Sequence, residues 1–101
     1  MSYLIAWEFQ VRPEACSQFE QVYGPEGEWA QLFRRSEGYM GTELLRDCER
    51  DGRYLVLDCW RSAELYKSFR HTHAEEYSRL DRRCEALTVR ESPIGTFTTL
   101  D

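Results

Sequence analysis

The segment from Arg53 to Tyr66 constrains the fold more than any other part of the chain. Residues 53–61 form a largely apolar run that predicts a strand, and Ser62 then stands where the N-cap of a helix is expected. Trp60 and Tyr66 flank this strand-to-helix turn, where two large rings can wall a pocket. The sequence carries no metal-ligand cluster, nucleophile elbow or phosphate loop, so it predicts a small apolar site.

The residues before this strand predict a hairpin. Residues 49–52 read Glu-Arg-Asp-Gly between two strand-like runs, residues 39–46 and 53–61, which should be antiparallel neighbours. The spacing of apolar residues and the positions of glycine and proline predict the remaining elements. They are a strand over residues 3–11, a helix from Pro13 to Gly24, a short helix that Gly38 closes, a long helix from Ser62 interrupted near Thr72, and a strand from Leu87 to Leu100 that pauses at Ser92-Pro93.

The predicted order is β-α-β-β-α-β with split helices, which is the ferredoxin-like arrangement of the α+β class. A length of 101 residues fits a single domain, residues 1–101. Helices cover one face of such a sheet, yet the predicted strands also carry apolar residues on the other face, such as Leu55, Leu57 and Cys59. A homodimer that packs sheet against sheet is therefore expected.

Composition restricts the partners. The net charge of −5 argues against nucleic acid and anionic membranes, because phosphate binding requires a basic face. No run is long and apolar enough to span a bilayer, and residues 2–11 lack the features of a signal peptide, so a cytoplasmic protein is expected. The 4 cysteines are scattered and are expected to be free thiols.

Four segments carry a resemblance to a known family. Residues 7–11, 38–44, 54–60 and 94–97 together resemble the antibiotic biosynthesis monooxygenase family of dimeric α/β barrels. The resemblance covers nearly the whole chain. It implies a dimeric barrel that binds a small aromatic compound and needs no cofactor.

The resemblance also implies site residues. In the cofactor-independent, quinone-forming members of that family, the strand-three tryptophan is similar to Trp60, and a tyrosine six residues later is similar to Tyr66. An asparagine four residues before the tryptophan helps to polarise the phenolic substrate there. Val56 occupies that position here, and the chain contains no asparagine. By this resemblance, Trp60 stacks on the substrate and Tyr66 handles a proton.

The helical pattern adds His73 to these candidates. His73 lies seven residues after Tyr66 and four before Tyr77, so the three share the inward face of the predicted helix. Trp60, Tyr66 and His73 are the predicted catalytic residues, and no metal site is predicted. The predicted substrate-binding residues are side chains expected around them: Trp29, Phe33, Val56, Asp58, Phe69 and Tyr77.

Each candidate also has a purely structural interpretation. Trp60 suits a core or a dimer interface, Tyr66 can bury its ring and hydrogen-bond a carbonyl, and His73 can be a satisfied structural histidine. Trp29 and Phe33 suit a core equally well.

Asp58 has two interpretations of its own. It alternates with Val56 and Trp60 on one strand face. An acid there is either a salt-bridge partner at an interface or a general base whose pKa an apolar pocket raises.

Three functions are compatible with these patterns. The first is a cofactor-independent monooxygenase acting on a small planar aromatic or polyketide-like compound. The second is a non-catalytic small-molecule-binding or structural dimer of the same fold, which the missing asparagine favours. The third is a haem-degrading monooxygenase. The resemblance to the haem-degrading branch of the family implies an iron-ligating histidine about ten residues after Trp60, where Arg70 stands here and His71 is one residue off.

Overall fold

The computed structural model describes residues 1–100. Its elements in chain order are β1 (Tyr3–Val11), a 3₁₀ turn (Pro13–Ala15), α1 (Cys16–Tyr23), α2 (Glu28–Phe33), β2 (Tyr39–Arg46), β3 (Arg53–Trp60), α3 (Ala63–Thr72), α4 (Ala74–Cys84), a second 3₁₀ turn (Glu85–Leu87) and β4 (Thr88–Thr98). This is the predicted β-α-β-β-α-β order with both helices split.

The four strands form one antiparallel sheet in the order β2-β3-β1-β4. The predicted hairpin pairs β2 with β3, and β1 lies between β3 and β4, so that Trp7 faces Val56 across neighbouring strands. The ferredoxin-like α+β fold is therefore confirmed. The sheet of one chain is open, and the barrel expected of a dimer requires a second copy.

The long predicted helix is interrupted at His73, one residue after the predicted break. The backbone N–H of His73 donates to the Phe69 carbonyl at 2.9 Å and ends α3, while its carbonyl accepts from the N–H of Tyr77 at 2.9 Å and begins α4. His73 thus belongs to the junction between two helices. The backbone of His73 departs from helical geometry, with φ −112° and ψ 33°, so the regular spacing that placed it on one face with Tyr66 and Tyr77 does not continue through it.

The predicted pause at Ser92-Pro93 does not interrupt β4. The register shifts between Ala6 and Trp7, which face Gly95 and Pro93 respectively, so Ile94 is the extra residue of a β-bulge. A proline fits here because β4 is an edge strand, where the missing N–H breaks no inner ladder.

The core lies between the sheet and the helices. Along β3, the side chains of Tyr54, Val56, Asp58 and Trp60 are buried, whereas those between them are only half-buried. Alternation of this kind is typical of a strand whose one face packs on helices. The opposite face of the sheet has no helix over it in the described chain.

Candidate active site

Aromatic side chains wall a cavity of about 260 Å³ between the sheet and the helices. Engineered cavities of about 150 Å³ accommodate benzene, so this one suits a compound of roughly two fused rings. Its six aromatic residues are Trp7, Phe9, Tyr23, Trp29, Phe33 and Tyr77. Its remaining lining residues are Val56, Asp58, Arg70, Asp81 and Glu91.

The rings are held by contacts with one another. The Trp29 ring lies 4.9 Å from that of Tyr77 in an edge-on arrangement and 5.7 Å from that of Phe33. Phe9 contacts Tyr23 at 5.0 Å between ring centroids. Edge-on and tilted pairs of this kind are favourable and fix ring orientation, so the walls are formed before a ligand arrives.

Asp58 brings a buried carboxyl group into this apolar cavity. Its Oδ1 accepts a hydrogen bond of 2.6 Å from the Thr42 hydroxyl, which in turn lies 2.5 Å from the Tyr39 hydroxyl. Burial raises the pKa of Asp58 to about 6, and the Thr42 hydrogen bond opposes that rise. The carboxyl lies on the helix-facing side of the sheet and forms no ion pair within residues 1–100.

Charged groups lie on the solvent side of the cavity. The exposed Arg70 guanidinium stacks 3.8 Å from the centre of the Tyr77 ring and donates to the Tyr66 hydroxyl at 3.1 Å. Glu91 is also exposed, and burial of part of its side chain, followed by the carboxylates of Asp81 and Glu85, raises its pKa. The open side of the cavity therefore carries charge of both signs.

Five of the six predicted substrate-binding residues line this cavity: Trp29, Phe33, Val56, Asp58 and Tyr77. Phe69 is the exception. It is buried in the core, where its ring lies 5.3 Å from that of Trp60.

Trp60 and Tyr66 lie behind the cavity wall and not in its lining. Trp60 is fully buried, and its ring contacts Phe33 at 5.4 Å and Tyr66 at 5.1 Å. Its Nε1 has no hydrogen-bond partner among the described residues. Tyr66 is half-buried, and its hydroxyl accepts a hydrogen bond from Arg70, which lines the cavity.

His73 is half-buried beside the helix junction, outside the cavity lining. Its Nδ1 lies 3.5 Å from an Oε2 of Glu76, and its ring lies 5.1 Å from that of Phe69. His71 is exposed on α3. The catalytic assignments of Trp60, Tyr66 and His73 remain predictions, and any effect of these residues on a ligand in the cavity must pass through neighbours.

Six further residues line the cavity without having been predicted to do so: Trp7, Phe9, Tyr23, Arg70, Asp81 and Glu91. Trp7 and Phe9 alternate along β1, which places them on one face, but alternation alone does not say which strand lies beside them. The pairing of β1 with β3 puts Trp7 next to Val56 and supplies the missing information.

Among residues 1–100, no three histidine, cysteine or acidic side chains are grouped so that they could hold a metal ion. The four cysteines are free thiols. No helix in the same range has the length and apolar character needed to cross a membrane.

The fold and the cavity define a ferredoxin-like protein with an aromatic pocket between its sheet and helices. The model of the family described as antibiotic biosynthesis monooxygenase matches residues 2–80. The chain belongs to this family. Comparison with curated proteins finds no match.

Solved structures of similar fold cover nearly the whole chain. SnoaB from Streptomyces nogalater, a cofactor-independent oxygenase, is 20% identical with a TM-score of 0.77, over 99% of this chain and 94% of its own. Rv0793 from Mycobacterium tuberculosis is 17% identical with a TM-score of 0.74, over 100% of this chain and 97% of its own. At these identities the likeness establishes the fold.

Proposed function

We propose that this protein is a cofactor-independent monooxygenase that oxidises a small planar aromatic or polyketide-like compound. The observation that carries the proposal is a cavity walled by six rings with one buried carboxyl on its sheet side. A flat phenolic compound fits both features, since rings stack on its faces and a carboxylate accepts a hydrogen bond from its hydroxyl group. Membership of the family and the fold shared with SnoaB support the reaction class.

The overall reaction needs only the substrate and molecular oxygen. A ring CH₂ group becomes a carbonyl: one oxygen atom enters the product, and the other leaves as water with the two hydrogens. The substrate loses four electrons and the oxygen molecule gains them. In this proposal the rings orient the substrate, and Trp60 and Phe69 support Phe33 from behind.

A second candidate function is a binding protein that keeps the cavity without the chemistry. Val56 lines the cavity at the position where the resemblance places a substrate-polarising asparagine, and its side chain donates no hydrogen bond. Haem degradation has less support, because neither His71 nor His73 lines the cavity to serve as an axial ligand.

Assembly as a cytoplasmic homodimer is part of the proposal. Leu55, Leu57 and Cys59 are half-buried on the sheet face that no helix of the described chain covers. Leu45, which pairs with Leu55, and Phe97, which pairs with Leu4, lie on the same face and are 41% and 53% exposed, so several apolar side chains face solvent in one copy.

The test measures oxygen uptake with dithranol, an anthrone-type phenol, and quenching of tryptophan fluorescence by the same compound. We expect uptake and saturable quenching, because Trp7 and Trp29 line the cavity. Val56→Phe should fill the cavity and abolish both signals. Val89→Phe provides the matched control on an exposed strand position. Quenching without uptake would favour the binding protein, and the absence of both would contradict the cavity assignment.

Tyr66→Phe tests whether the Tyr66 hydroxyl takes part in catalysis. The variant keeps the ring that packs on Trp60 and removes only the acceptor of the Arg70 hydrogen bond. If the hydroxyl transfers a proton, the rate of oxygen uptake should fall roughly 100-fold with an unchanged melting temperature. An unchanged rate would remove Tyr66 from the mechanism, and His73→Ala tests the histidine in the same way.

A further inference from the structure

The two carboxylate oxygens of Asp58 have different environments. Oδ1 is engaged by Thr42, whose own hydroxyl is held by Tyr39. Oδ2 accepts no hydrogen bond from residues 1–100. It is not fully buried either, since the fully buried side-chain atoms without a partner among these residues are Trp29 Nε1 and Trp60 Nε1. Because Asp58 lines the cavity, its Oδ2 is open to whatever occupies that space.

No nearby charge accounts for the state of this carboxyl. The other titratable groups that line the cavity are Tyr23 from α1, Arg70 from α3, Tyr77 and Asp81 from α4, and Glu91 from β4. None of them contributes to the shift of the Asp58 pKa, which burial and the Thr42 hydrogen bond explain. With a pKa of about 6 the group is ionised at neutral pH yet basic enough to accept a proton.

We propose that Asp58 is a catalytic residue that accepts the hydroxyl proton of a phenolic ligand on its Oδ2. The ligand O–H bond breaks, an O–H bond to Oδ2 forms, and the electron pair stays on the ligand oxygen as a phenolate. No oxidant or reductant takes part in this step. The inference deepens the proposed function and rests on it, since the phenolate is the electron-rich species that reacts with oxygen.

Thr42 and Tyr39 are positioning residues in this scheme. Their hydrogen bonds engage Oδ1 and leave Oδ2 as the free acceptor. The other candidates for the role are less well placed. Tyr66 already accepts from Arg70, and His73 lies beside Glu76, while neither lines the cavity.

Equilibrium binding tests the inference without turnover. The probes are naphthol and its methyl ether, which share a ring system but differ in the hydroxyl proton, and the readout is tryptophan quenching between about pH 5 and about pH 7.5. Naphthol should bind roughly 10-fold or more tightly once Asp58 is ionised, because a carboxylate is a strong acceptor. The methyl ether should bind equally well throughout.

Three variants make the result specific to Asp58. Asp58→Asn should remove the pH dependence of naphthol binding, whereas Asp51→Asn, at an exposed hairpin position, should keep it. Thr42→Val deletes the hydrogen bond that lowers the Asp58 pKa, so the transition should move to higher pH. This shift also distinguishes positioning from a purely structural role, and it provides the test if Asp58→Asn does not fold.

The outcomes separate this inference from the oxygenase proposal. The same pH dependence for both probes, none for naphthol, or no binding of either would overturn the role of Asp58. Asp58→Asn should also slow dithranol oxidation roughly 100-fold, and an unchanged rate would overturn that role too. A parent protein that binds naphthol as expected but consumes no oxygen would instead contradict the oxygenase proposal and leave the proton acceptor standing.

Discussion

Asp58 holds an ionisable group in a nearly dry environment, and this affects stability as well as chemistry. Its pKa in the folded protein is about 6, above the ordinary value of 3.8, so the folded state binds the proton more tightly than the unfolded chain. Ionised Asp58 therefore lowers the free energy of unfolding above about pH 6. That penalty disappears as the pH falls below 3.8, where both states are protonated.

Asp58→Asn should stabilise the protein at neutral pH. The amide keeps an oxygen for the Thr42 hydroxyl and carries no charge, so the gain in the free energy of unfolding should be up to about 3 kcal/mol at pH 7. Urea denaturation at pH 7 and near pH 3 measures it, and the gain should vanish at the lower pH, where both states are protonated. A variant less stable than the parent at pH 7 would show that burial does not penalise the carboxylate.

At the scale of elements, the hairpin between β2 and β3 sets the register of the strand that carries Asp58. Asp47 Oδ1 accepts from the N–H groups of Glu49 and Arg50 at 2.8 and 3.0 Å, and its Oδ2 lies 2.9 Å from Arg53 Nη1. These bonds lower the pKa of Asp47 to about 2. Ionised Asp47 therefore stabilises the turn fully at pH values above its ordinary pKa of 3.8, and this stabilisation is lost as the pH falls through about 2.

Gly52 is the position in this turn that requires glycine. Its φ is +79°, and a Cβ there would lie 2.8 Å from the Val11 carbonyl oxygen, which belongs to the neighbouring strand β1. Gly52→Ala should lower the free energy of unfolding by roughly 1–2 kcal/mol or more, with Glu49→Ala as the control in the same turn. Urea denaturation checks it, and equal stability of the two variants would contradict the strained geometry.

At the scale of the whole molecule, the uncovered sheet face is the surface on which the proposed dimer depends. Besides its apolar residues, this face carries the exposed Glu43, which lies across from Leu57, and the pair Glu8 and Arg53, whose side chains meet at 2.6 Å. A face that is mainly apolar suits contact with a second, identical face.

Light scattering should therefore give a mass of about 24 kDa, twice the 12.0 kDa of one chain. Leu57→Glu places a charge in the middle of the face and should shift the protein to the monomer mass or to aggregates. Arg79→Glu, on the exposed surface of α4, should leave the mass unchanged. A parent protein of 12.0 kDa would contradict sheet-on-sheet assembly.

Local sequence determined the elements because the forces that form them act over a few residues. Alternation along β3 predicted which side chains are buried, and Ser62 does cap α3, accepting from the Leu65 N–H at 3.1 Å. The Gly52 turn and the ferredoxin-like order follow from the same short-range signals.

Tertiary structure decided which side chains meet around the cavity. The placement of β1 beside β3 brings Trp7 to Val56, and of the two residues at and after the helix break Tyr77 lines the cavity whereas His73 lies outside its lining. The rings of Tyr39, Tyr66 and Phe69 enclose Trp60 behind the wall. These relations depend on strand order and helix direction, which long-range packing sets and which no periodicity within a single element contains.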